Sequence, residues 1–162
     1  MRCVAAFLIA LAFAGAANAG DLPPLKPQNG TMLAPAHARD VLHQCSRGVP
    51  RNVQGVWTPT AEQIRDLEAR LPGALLQEMA KRGHPAPPGS PAPFEFGRQY
   101  AGFVTGGRRI VYVNAFPLEA MNQEKDWRTR PAVVCDGGEA FFGVEYDPAA
   151  KTFANFAFNG FA

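Results

Sequence analysis

Two of the three cysteines, three histidines and a short acidic run are the residues in this chain that could carry chemistry. Cys45 and Cys135 can close a disulfide, and a loop of about 90 residues corresponds to a chain-entropy stabilisation of about 4–5 kcal/mol. The alternative is a reactive thiol: His43 lies two residues from Cys45, and an imidazole that lowers a thiol pKa turns it into a nucleophile. In an oxidising compartment two cysteines usually pair, so the bond is the expected state. His37, His43 and His84 show no HxH or HExxH spacing, so no metal site is expected. Asp136-Gly137-Gly138-Glu139 offers too few oxygens for calcium, which takes roughly six to eight. It reads as a turn with an exposed Glu139. Asp136, Glu139 or Glu145 with His37 or His43 are the groups a hydrolase would use. The chain has no GxSxG, Walker-type or GxGxxG pattern, so no catalytic residue is assigned and no cofactor is expected.

The most polar set on the predicted strands is Arg98, Gln99 and Tyr100, with Asn114 across a hairpin and Asn159 near the end. Polar strand residues beside an aromatic such as Trp57 or Trp127 can line a recognition groove. Arg98, Tyr100, Asn114 and Trp127 are the candidate binding residues on this reading. The plainer alternative is a solvated sheet face.

These residues must be positioned by the elements around them. Residues 20–36 are Pro-rich and read as an irregular arm, with a helical turn from His37 to Cys45. A helix follows Trp57, capped either by Thr58 with Pro59 at its first position or by the Thr60/Gln63 capping box. Ile64, Leu67 and Leu71 recur at helical spacing, and Pro72-Gly73 predicts a break or kink before a second piece through Leu75, Leu76 and Met79. Residues 84–93 form a Pro-rich linker. Two hairpins occupy the back half. The first turns at Gly106-Gly107, setting Phe103 opposite Ile110 and Tyr100 opposite Val113. The second turns at 148–150, and places Phe142, Val144 and Tyr146 against Ala154, Phe156 and Phe158. Between them, residues 117–131 read as polar and irregular, anchored by Trp127. Val133-Val134-Cys135 is expected to begin the third strand, with a bulge or corner at Gly137-Gly138.

The predicted fold is therefore α+β, a kinked helix packed on a four-stranded antiparallel sheet in two layers. The run VVCDGGEAFFGVEYDPAAKTFANFAFNGFA, with GRQYAGFV and RRIVYVNAF before it, resembles small exported bacterial proteins with no function attached. That resemblance covers residues 45–162 and implies no catalytic residues. The order of one helix and four strands also looks like the cystatin-type arrangement, which is a likeness of fold alone.

Residues 1–19 carry the pattern of a secretory signal peptide: Arg2, an apolar run from Val4 to Ala17, and a small-x-small site at Ala17-Asn18-Ala19. The run is shorter than the roughly 20 apolar residues of a membrane span, and none follows. Cys3 lies within this leader. What remains has one domain's length, residues 37–162 behind the arm, and basic and acidic groups in near balance. Such balance argues against nucleic acid as a partner. A periplasmic or secreted, disulfide-tied binding or accessory protein is expected, acting by surface recognition of an envelope protein or ligand. The alternative is a small envelope hydrolase using a carboxylate and a histidine.

Overall fold

The computed structural model describes residues 25–84, 95–121 and 126–161. The signal-like residues 1–19, the start of the arm and nearly all of the Pro-rich linker lie outside the described residues. Among those described, no helix is long and apolar enough to cross a membrane.

The fold is mixed α+β, with two helices and one sheet of six strands. In chain order the elements are β1 (Gly30–Met32), α1 (Pro35–Ala38), β2 (Val53–Trp57), α2 (Ala61–Lys81), β3 (Phe96–Thr105), β4 (Arg108–Pro117), β5 (Phe142–Asp147) and β6 (Thr152–Phe158). The strand order is β1-β3-β4-β5-β6, with β2 also on β3. The four expected strands are present, and two corrections apply. The sheet has six strands, and it is partly parallel: β1 runs parallel to β3 through Gly30↔Arg98 to Met32↔Tyr100. β2 pairs antiparallel with the other half of the same edge, through Val53↔Thr105 to Trp57↔Gly102. The arm is therefore part of the fold from Leu25 onward, with Leu25 itself buried.

The β3–β4 register sets Phe103 against Ile110, Ala101 against Tyr112 and Tyr100 against Val113. Two adjacent glycines at the turn, both with positive φ, allow this tight reversal. The β5–β6 pairing departs from simple alternation. A register shift between Gly143 and Glu145, with Asn155 at φ 54°, turns Phe153, Phe156 and Phe158 toward the helix side. Ala154, expected on that face, is displaced from it.

The Thr60/Gln63 capping box starts α2, with the Thr60 hydroxyl accepting the Gln63 N–H and the Gln63 side chain accepting the Thr60 N–H. The expected break at Pro72 does not occur, and the helix is continuous from Ala61 to Lys81. An internal Pro costs about 3 kcal/mol. Leu67, Leu71 and Leu75 are buried on both sides of it, and their packing on the sheet outweighs that cost.

Both faces of the sheet are covered. On one, α2 packs over Tyr100, Val111, Val113, Ala115, Phe142, Val144 and Tyr146. On the other, residues 33–42 place Leu33, Ala38 and Val41 on Ala101, Phe103, Ile110 and Tyr112. Beside them Phe116 meets Trp127 edge-on at 5.5 Å, together with Met121 and Ala132. Val133-Val134-Cys135 does not begin a strand. Residues 131–137 are irregular, and Gly137-Gly138, both at positive φ, lead into a single 3-10 turn before β5. A Cys45–Cys135 disulfide, with Cα atoms 5.0 Å apart, joins the two stretches of this irregular layer.

Candidate functional site

The residues expected to line a groove lie inside the molecule and on opposite faces of the sheet. Arg98 is fully buried on the helix side. Its guanidinium donates to Glu68 Oε1 at 2.9 Å, to the Tyr100 hydroxyl at 2.8 Å and to the carbonyls of Phe96 (2.7 Å) and Lys26 (2.8 Å). The Tyr100 hydroxyl donates to the same Glu68 oxygen at 2.6 Å. Burial holds the Tyr100 pKa well above that of an ordinary phenol. Every contact of this cluster is to the protein itself, and it fastens the arm, α2 and β3 to one another.

Asn114, Gln99 and Trp127 belong to the opposite face. Gln99 Nε2 donates to the carbonyls of Trp127 and Arg130, while its oxygen accepts the Ala132 N–H at 2.9 Å and the Asn114 amide at 2.8 Å. Asn114 also donates to the Ala132 carbonyl at 2.9 Å. Arg47 bridges the oxygens of Asn114 and Asn159. Asn159 reaches the carbonyls of Val134 and Asp136 at 2.7 and 2.8 Å. Side-chain amides thus satisfy five carbonyls and one N–H of residues 127–136, a stretch with no strand partner. Trp127 is buried against Phe116 and lends this network its carbonyl. Arg98 and Tyr100 on one side, and Asn114 and Trp127 on the other, form no common open surface.

The histidines do not gather with the expected acids. His37 Nδ1 lies 3.4 Å from Asp40, and both side chains are exposed. His84 Nε2 lies 3.6 Å from Glu139, a carboxylate it shares with Arg82. No ion pair joins His37 or His43 to Asp136, Glu139 or Glu145 among the described residues. No group of three or more His, Cys, Asp or Glu side chains that could hold a metal ion occurs there either.

An accessible polar concavity lies at one end of the sheet, between the first turns of α2 and the β5–β6 turn. It is open, has a volume of about 530 Å³, and is lined by Thr60, Glu62, Gln63, Arg65, Asp66, Tyr146, Pro148 and Lys151. Tyr146 donates its hydroxyl to Asp66, Arg70 Nε lies 3.1 Å from both Asp66 oxygens, and Lys151 Nζ is 3.8 Å from one of them. The Tyr146 hydrogen bond first, with Arg70 and Lys151 adding to it, holds the Asp66 carboxyl below its usual pKa against an opposing desolvation. Burial, then the Asp66 carboxylate, push Tyr146 up to about 12. Lys151 takes φ 57°, a conformation that Gly or Asn adopts at lower cost. The turn is held by Asp147, whose Oδ1 accepts the N–H groups of Ala149 and Ala150.

The same end carries the β3–β4 turn and the start of β2. Arg108 Nη1 lies 3.7 Å from Asp147, Thr105 Oγ1 donates to the Arg51 carbonyl at 2.9 Å, and Arg109 stacks over the Trp57 ring at 5.3 Å. A chain of direct contacts therefore links Arg51 to Lys151 and Asp66.

Comparison with known proteins gives no match: no family model, no curated protein and no solved structure is significantly similar to the chain.

Reading the sequence for sites missed Arg47 and Glu68, the partners that draw the strand polar groups inward, and Asp66, Arg65 and Lys151 at the open end. Asp66 and Arg70 do carry a signal, an i,i+4 acid–base pair on the expected outer face of the helix. Lys151 has none, because only the turn geometry marks it.

Proposed function

We propose that this is an exported, disulfide-tied recognition domain, acting by surface contact with an envelope protein or ligand, and that the contact is made at the loop end containing Asp66, Tyr146 and Lys151. The observation that carries the reading is the covering of both sheet faces: the polar strand residues bond inward, so recognition falls to the loops. The Cys45–Cys135 bond is compatible with an oxidising compartment. Lys151, in a conformation uncommon for a side-chain-bearing residue, supports a role for that side chain beyond the turn.

The test is capture from an envelope extract on the immobilised protein, beside a variant carrying Arg65→Glu and Lys151→Glu. A reproducible component held by the native protein and lost from the variant is the expected result. Retention of nothing by the native protein, with turnover of a generic ester, glycan or peptide substrate, would replace this reading by the hydrolase one.

A further inference from the structure

Near-neutral overall charge conceals a polar distribution. The loop end gathers Arg51, Arg65, Arg70, Arg108, Arg109 and Lys151, all exposed, which is six of the sixteen basic side chains in the chain. Only three of the fourteen acidic ones meet them: Glu62 and Asp66 at the cleft, and Asp147 at the turn. Two of these acids have internal duties. Asp66 accepts from Tyr146 and Arg70, and Asp147 caps its own turn. Arg51, Arg65 and Arg109 make no ion pair among the described residues, so their charge faces outward.

We propose that this end docks on an anionic phospholipid surface, an inference resting on the reading that recognition occurs there. The cations come from four separate places: the start of β2, the β3–β4 turn, the β5–β6 turn and the first turns of α2. They do not converge on one point, as a site for a single small anion would require. The concavity among them is open and lined by Glu62 and Asp66 as well as by Arg65 and Lys151, so it offers no all-cationic groove to an acidic peptide. Long side chains on neighbouring loops instead suit a repeating array of headgroups, each meeting its own negative charge. Trp57 is tied down by its indole N–H, donated to the carbonyls of Phe103 and Ile110 at 3.1 Å, so it serves as a shelf for Arg109 and does not insert. Adsorption is therefore electrostatic, weakens with salt, and leaves the fold unchanged.

The experiment is co-sedimentation of the purified, oxidised protein with vesicles of phosphatidylglycerol and phosphatidylethanolamine, beside vesicles of phosphatidylcholine alone. The expected result is retention on the anionic vesicles only. It disappears toward 1 M salt, where the Debye length is about 3 Å. Because each surface cation accounts for about a fivefold change in partitioning, the variant R51E/R109E is expected to lose at least about 25-fold. The variant K81E/R128E, with the same change in net charge at the opposite end of the molecule, keeps native binding. Circular dichroism and thermal melting establish that both variants fold. Equal binding to both vesicle types, or equal loss in both variants, overturns the proposal. Capture of an acidic envelope protein through Arg65 and Lys151, with no vesicle binding, overturns the lipid assignment alone and leaves the loop end as the recognition surface.

Discussion

On the helix side of the sheet, a regular element meets a regular element. Leu67, Leu71 and Leu75 enter an apolar floor of Val111, Val113, Val144 and Phe142, and the backbone of α2 satisfies its own hydrogen bonds. On the opposite side, residues 126–136 have no such ladder. Gln99, Asn114 and Asn159 supply the missing partners, and the Cys45–Cys135 bond ties this stretch to the other half of the layer. A helix can cover a sheet with hydrocarbon alone. An irregular segment needs polar side chains beneath it to meet the carbonyls it buries.

Removing the buried Arg98–Glu68 pair from the helix side tests this contrast most severely. Arg98→Met leaves the carbonyls of Lys26 and Phe96 without this donor and the buried Glu68 with the Tyr100 hydroxyl in place of its cation, and about 3–5 kcal/mol of stability should be lost in denaturant unfolding. A loss below about 1 kcal/mol would show that hydrocarbon packing suffices there. The opposite layer is tested next by Cys45→Ser with Cys135→Ser, for which about 2–4 kcal/mol is expected. The effect should be local. Hydrogen exchange should quicken at residues 33–49 and 126–137 while α2 keeps its protection, and uniform acceleration would erase the distinction between the layers.

A smaller effect concerns pH. Tyr146 holds its proton up to about 12, above its ordinary 10.0, so the stability linked to it is complete below pH 10.0 and declines as pH rises toward 12. Tyr146→Phe should therefore reduce the alkaline fall in the denaturant midpoint between those values. Tyr100 and Tyr112, also raised by burial, retain their own share of the slope. Asp66 acts in the opposite sense. Its pKa is lowered, so its contribution is present above 3.8 and is lost on further acidification.

How far the sequence foretold this molecule varies with how local the cause is. The β3–β4 register was legible because Gly106-Gly107 and the flanking alternation fix it within twenty residues or so. The Thr60/Gln63 cap and the pairing of Cys45 with Cys135 were legible for similar reasons, one local and one a matter of having no other partner outside the leader. β1 was not. Gly30–Met32 has no alternation of its own, and its place is set by a distant edge of β3. Pro72 misled because a local penalty was overruled by tertiary burial. The polar strand residues misled most, since Gln99 and Asn114 read as exposed until the carbonyls above them are seen.

β3 is the hub of the molecule, holding β1, β2 and β4. A polypeptide leaves the ribosome amino end first, so β1, Cys45 and β2 emerge before the strand they depend on has been made. They must wait without a template, and both β1 and the Cys45 thiol find their mates only late. Assembly is thereby paced by the arrival of the carboxyl half, and a chain ending before Phe96 would have an amino half with nowhere to settle.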